Sequence, residues 1–119
     1  MMKKFKWSYN EEDDVLYIFD PRKKAKESVE IYEDVVIDID KDKNLIGIEI
    51  FYANDLFKAI DKNFPKNVMT DLKEVQVEFS TYRNFVIIKL LIEYNNKTIV
   101  ESLPPISINK YESPIVGYV

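Results

Sequence analysis

The sequence predicts an α+β fold: an antiparallel β-sheet built from hairpins and meanders, with one or two short helices packed on it. Three observations lead there. Apolar and polar residues alternate with period two through Lys4–Tyr9, Val35–Phe51 and Glu74–Tyr82. Short polar turns, "NEED", "KDKN" and "NN", separate such runs. Only Ala53–Phe64 switches to helical spacing. At 119 residues the chain is expected to be one domain, residues 1–119, with a meander and an irregular tail filling residues 61–119.

Each element follows from its residues. Lys4–Tyr9 alternates, with Phe5, Trp7 and Tyr9 on one face. "DVLYIFD" is a continuous apolar run, long enough for a strand and too short for a helix. Val15, Tyr17 and Phe19 take one face of it, Leu16 and Ile18 the other. Pro21 ends that strand, because proline has no N–H for the ladder. "PRKKAKE" reads as a charged surface loop, with a short strand after it at Ser28–Ile31.

Val35–Phe51 is a hairpin around a four-residue turn, Lys41–Asn44. The expected register pairs Asp40 with Leu45, Ile39 with Ile46, Ile37 with Ile48 and Val35 with Ile50. All six branched residues then share one face, and a slip by one residue would expose them. Gly47 falls opposite Asp38 on the other face.

In Ala53–Phe64, Leu56, Phe57 and Ile60 form an apolar stripe, with Asn54 as the expected N-cap and Asp55 in the first turn. Pro65 breaks it, and "PKNVMTDLKE" suggests a second short helix. Glu74–Tyr82, Phe85–Tyr94 and Lys97–Leu103 predict a three-stranded meander. Asn95 and Asn96 form its second turn, since asparagine tolerates positive φ. The tail is proline-rich, with an edge strand expected at Ile115–Val119.

Composition excludes several chemistries. The chain has no cysteine and no histidine. Disulfides, thiol chemistry, Cys/His zinc sites and Ser-His-Asp or Cys-His nucleophiles are therefore out of reach. Its net charge is −4 and its pI about 4.9. That disfavours nucleic acid as a partner, although "MMKKFK" and "PRKKAKE" are local basic patches. No apolar run reaches the ~20 residues of a membrane span. The basic opening has no long apolar core behind it, so a cytoplasmic protein is expected.

Tyr9, Asp14, Leu16, Tyr17 and Ile18, followed by Gly47, Ile48, Glu49 and Ala53, carry a resemblance. Together they resemble the family known as domain of unknown function 2283, over residues 7–60. Lys43 stands where the family's hairpin turn often has glycine, and Tyr52 where an acidic residue is common. The resemblance implies no catalytic residue. It does imply a protein partner, since some members look like partners of small toxin proteins by gene arrangement.

Acidic residues supply the metal candidates. In "DIDKDKNLIGIE", Asp38, Asp40, Asp42 and Glu49 match positions 1, 3, 5 and 12 of a calcium loop. Position 6 is Lys43 where glycine is needed, and the flanks alternate as strands do. Solvent-facing acids on a hairpin explain the pattern better, so no metal and no cofactor are expected. Glu11, Glu12, Asp13 and Asp14 read as a turn, with Asp14 placed to cap nearby N–H groups.

The expected function is a non-enzymatic interaction module, either a homodimer or a binder of a small basic protein. Val15, Tyr17 and Phe19 are its interface candidates, because one face of their strand needs a cover. The alternatives are a carboxylate enzyme using Mg2+ or Mn2+, and a small-ligand binder lined by Tyr and Phe.

Overall fold

The computed structural model describes residues 2–107. The tail from residue 108 onward, with the strand expected at Ile115–Val119, lies outside the described residues. Among the described residues, nine strands form one antiparallel sheet with a single α-helix. They are β1 (Lys3–Asn10), β2 (Val15–Phe19), β3 (Glu27–Tyr32), β4 (Val35–Ile39), β5 (Leu45–Phe51), β6 (Leu72–Tyr82), β7 (Phe85–Tyr94), β8 (Lys97–Ser102) and β9 (Ile106–Ser107). Helix α1 spans Ala53–Ile60. The spatial order is β3-β4-β5-β2-β1-β6-β7-β8, with β9 pairing β7. No helix among the described residues is long and apolar enough to cross a membrane.

Strand β1 joins the two halves of the sheet. Its Lys6–Asn10 segment pairs β2, and its Lys3–Phe5 segment pairs Val75–Val77 of β6. The core lies between the inner faces of the two halves and α1. It contains Leu16, Ile18, Ile37, Ile48 and Phe57 from the first half and helix, and Val75, Ile88, Leu90 and Ile92 from the second. Leu16 and Ile18 are fully buried, while Val15, Tyr17 and Phe19 are half-buried on the outer face. The two faces of β2 are those that its alternation predicts.

The central hairpin keeps most of its expected register. Val35 pairs Ile50, Ile37 pairs Ile48, and Asp38 faces Gly47. Its tip differs. Ile39 pairs Leu45 across a bulge, not Ile46, and Asp40 leaves the ladder. The cause is the side chain of Asp40, which accepts the backbone N–H groups of Asp42 and Asn44, both at 2.9 Å. These bonds fold Asp40 into the turn. All six branched residues still lie inside.

Two helix expectations are corrected. The N-cap of α1 is Tyr52, in the left-handed region at φ 50°, not Asn54. The helix stops at Ile60, because Asp61 is extended. No helix follows Pro65 among the described residues. The segment is a series of turns that buries Phe64, Val68 and Met69, with Phe64 stacked on Phe57 at 5.0 Å. Apolar spacing there serves a plug over the core. The meander β6-β7-β8 forms as expected, and Asn95 and Asn96 both take positive φ in its turn. The strand after the basic loop is longer than expected, Glu27–Tyr32. Its far end is tied to the second half by the Tyr32 hydroxyl, which donates to the Pro104 carbonyl.

Candidate functional site

The β1–β2 turn is organised by its flanks. Asn10 Oδ1 accepts the N–H of Asp13 at 3.1 Å, which leaves Glu11, Glu12 and Asp13 exposed. Asp14 turns the other way. It sits at φ 54°, a left-handed position that Asp tolerates better than most residues. Its carboxylate accepts the Tyr9 hydroxyl at 2.7 Å, the Asn54 backbone N–H at 3.1 Å and the Asn54 amide at 3.0 Å. Its carbonyl accepts the N–H of Ala53 at 3.0 Å. Asp14 thus satisfies the first turn of α1, a role that N-cap side chains usually fill locally. Burial, and then Asp14, push the Tyr9 phenol above its usual range.

The second node lies on the outer face of the sheet. Asp38 accepts the Ser28 hydroxyl at 2.7 Å and the Tyr17 hydroxyl at 3.1 Å. A Cβ on Gly47 would lie 2.8 Å from the Asp38 carboxylate, so only glycine leaves room for it. Glu49 pairs Tyr17 across β2 and β5. Burial, then Asp38, raises the Tyr17 pKa. Tyr17 also stacks on Phe19, with ring centroids 4.9 Å apart.

These two nodes use Tyr9, Asp14, Tyr17, Gly47 and Glu49 together, the residues that carry the resemblance.

Residues 6–54 match the family model of DUF2283, a protein of unknown function.

Within this matched stretch the structure separates the metal candidates. Asp14 holds α1, Asp38 holds Tyr17 and Ser28, and Asp40 closes its own turn. Backbone and side-chain bonds from Asn44 hold the Asp40 carboxyl below the usual carboxylate range. Asp42 is exposed at the hairpin tip. No group of three or more acidic, Cys or His side chains is placed to hold a metal ion among the described residues.

The outer face of β2 leads into a cavity of about 510 Å3. Val15, Phe51 and Tyr52 give it an apolar lining, and Glu12, Asp13, Glu33 and Asp34 surround it with carboxylates. Val15 pairs Phe51 directly. Tyr52 is 59% exposed, held outward by its left-handed backbone. Periodicity identifies Val15, Tyr17 and Phe19 as one face. It does not reveal that the turn at Glu33–Asp34 brings two further acids beside them.

One pair outside the matched stretch does not stand out in the sequence. Glu101 is 5% exposed on the core side of β8, opposite Leu90. Burial, and then hydrogen bonding to the Asp61 carboxyl, hold its pKa at about 7. The signal was present in "KTIVESL", where Glu101 alternates in phase with Ile99 and Leu103.

Two curated proteins resemble the chain. One, from Methanosarcina mazei, bears the name "Putative hypoxanthine phosphoribosyltransferase" and is 25% identical over 112 residues, covering 92% of this chain and 86% of that protein. The other is an uncharacterized protein of Methanocaldococcus jannaschii, 32% identical over 66 residues, covering 56% of each chain. No solved structure matches.

Proposed function

We propose that this protein is a non-enzymatic interaction module that binds a small basic protein through the outer face of β2. The observation that carries the proposal is the cavity at Val15, with its apolar lining and four surrounding carboxylates. Such a cavity suits a Lys or Arg side chain. The aliphatic stem packs on Val15 and Phe51, while the charged head meets Glu33 and Asp34. Beyond it, Tyr17 and Phe19 offer a rigid aromatic pair of the kind that anchors interfaces. The net charge of −4 would steer a basic partner towards the surface. A small toxin-like protein, the partner class that the family resemblance implies, fits this chemistry. A cytoplasmic setting suits a chain without cysteine, which needs no oxidising compartment.

The phosphoribosyltransferase name of the Methanosarcina protein finds no support in this chain. Every strand pairing among the described residues is antiparallel, and Gly47 lies beneath Asp38 instead of opening a phosphate loop. Against a carboxylate enzyme, Asp14, Asp38 and Asp40 are engaged in separate internal hydrogen bonds and do not converge on one point.

The test is a titration with a short Arg- and Lys-rich peptide, followed by amide chemical shifts. Shifts should map to Val15, Phe51 and Tyr52, and Glu33→Lys with Asp34→Lys should weaken binding about tenfold or more. Unchanged affinity in that double variant would remove the proposal. Light scattering separates the self-association form of the idea. A particle of twice 14.1 kDa that Phe19→Asp dissociates would make the partner a second copy.

A further inference from the structure

A second cleft lies at the other end of the β1–β2 hairpin. The ladder runs from Asn10 with Val15 to Lys6 with Phe19 and stops there. Continued, it would set Phe5 against Asp20, Lys4 against Pro21 and Lys3 against Arg22. Pro21 has no N–H to donate, and the Asp20 N–H goes to the Ile46 carbonyl at 2.9 Å. Lys3–Phe5 pair β6 on their opposite edge. The two segments therefore splay, and the gap between them is a cleft of about 810 Å3.

The two basic stretches of the sequence meet in this cleft. Lys3, Lys4, Lys6, Arg22 and Lys23 line it, with Asp20 as the one acid of the lining. Arg22 holds Asp20 through two bonds, at 3.0 and 3.1 Å, and Glu74 holds Lys4 at 2.8 Å. Lys3, Lys6 and Lys23 carry no ion pair among the described residues. A recess of about 480 Å3 shares Arg22 and Lys23 and adds Lys24, Lys26 and Lys41, with Asp40 and Asp42 as its acids. Ammonium groups gathered round one cleft repel each other, and a bound anion removes that cost. Lysine is a point-charge binder of phosphate. The edge of Lys3–Phe5 that faces the cleft has no partner strand among the described residues.

We propose that this cleft binds a small molecule bearing two or more phosphoryl charges. Its volume is in the range of small-ligand sites, and the cationic excess of its lining, five Lys and Arg side chains against one Asp, matches such a charge. The cleft is separate from the acid-lined cavity, so this proposal does not depend on the partner proposed above.

The experiment is calorimetry at about 0.15 M ionic strength, where the Debye length is about 8 Å, with inorganic tripolyphosphate and no added metal. One saturable site is expected. Lys3→Glu with Lys23→Glu should weaken it about tenfold or more, one lost pairing contributing about a factor of ten. Lys62→Glu with Lys97→Glu makes the same charge change at exposed positions outside the cleft, and should leave the affinity within about twofold. No saturable binding, or equal loss in both double variants, would overturn the site. An oligothymidylate that displaces tripolyphosphate at equal phosphate concentration would overturn its assignment to a small ligand.

Discussion

Asp14, in the turn between β1 and β2, caps α1 from a distance in sequence, accepting the N–H of Asn54, forty residues later, at 3.1 Å. Tyr9 holds the same carboxylate at 2.7 Å, so the hairpin and the helix share one acceptor. Asp14→Ala leaves the Asn54 N–H without its carboxylate acceptor and the Tyr9 hydroxyl with only the Asn54 amide as a partner. It is expected to cost about 2–3 kcal/mol in urea unfolding followed by circular dichroism. Tyr9→Phe removes two bonds, the one donated to Asp14 and the one accepted from the Asn54 amide, and should cost about 1–2 kcal/mol. An Asp14→Ala variant as stable as the parent would refute the capping role.

Gly47 and Asp38 form a second testable pair. Gly47→Ala places a methyl group 2.8 Å from the Asp38 carboxylate and forces it away from Tyr17 and Ser28. A loss of about 1–3 kcal/mol is expected. In the Asp38→Ala background the obstruction is gone, so Gly47→Ala should cost much less there. Equal losses in both backgrounds would mean that the glycine serves something other than Asp38.

Lys43 occupies a left-handed position, φ 67°, at the tip of the β4–β5 hairpin. A side chain there is strained, and glycine is not. Lys43 also faces Glu27, but at 4.0 Å with both side chains largely exposed, a pair that contributes little. Lys43→Gly should therefore stabilise the protein by up to about 1 kcal/mol, read as a higher urea midpoint. A lower midpoint would show that the lysine contributes more than its backbone costs.

Glu101 predicts a pH dependence. Its carboxyl titrates at about 7 in the folded chain against an ordinary 4.5. Between those values the folded state binds more protons than the unfolded one, so stability falls as pH rises and levels off above about 7. The total is at most about 3 kcal/mol. Glu101→Gln keeps the shape without the charge. It should flatten this slope and exceed the parent in stability at about pH 8. Parallel curves for parent and variant would place the pH dependence elsewhere.

Period-two alternation was enough to assign the faces of β2, to pair Val35 with Ile50 and Ile37 with Ile48, and to put Gly47 opposite Asp38. Each follows from neighbours on one strand or across one short turn, where a register slip would expose apolar residues. Asn95 and Asn96 were legible for a related local reason, their tolerance of positive φ. Phe64, Val68 and Met69 misled, because burial of a turn segment satisfies them as well as a helix would.

The acid-rich turn shows where local inference stops. Its residue types fit a turn, and Glu11, Glu12 and Asp13 behave as one. Whether Asp14 served that turn, a metal or something remote depended on what lay beside it in space. The order of strands brought β5 next to β2, and with it Tyr52 and the start of α1. The same order placed Glu33 and Asp34 beside Val15, and splayed Lys3 from Arg22 at Pro21. Alternation along a chain determines which residues share a face. Only the packing of distant strands decides which faces, ends and charges meet.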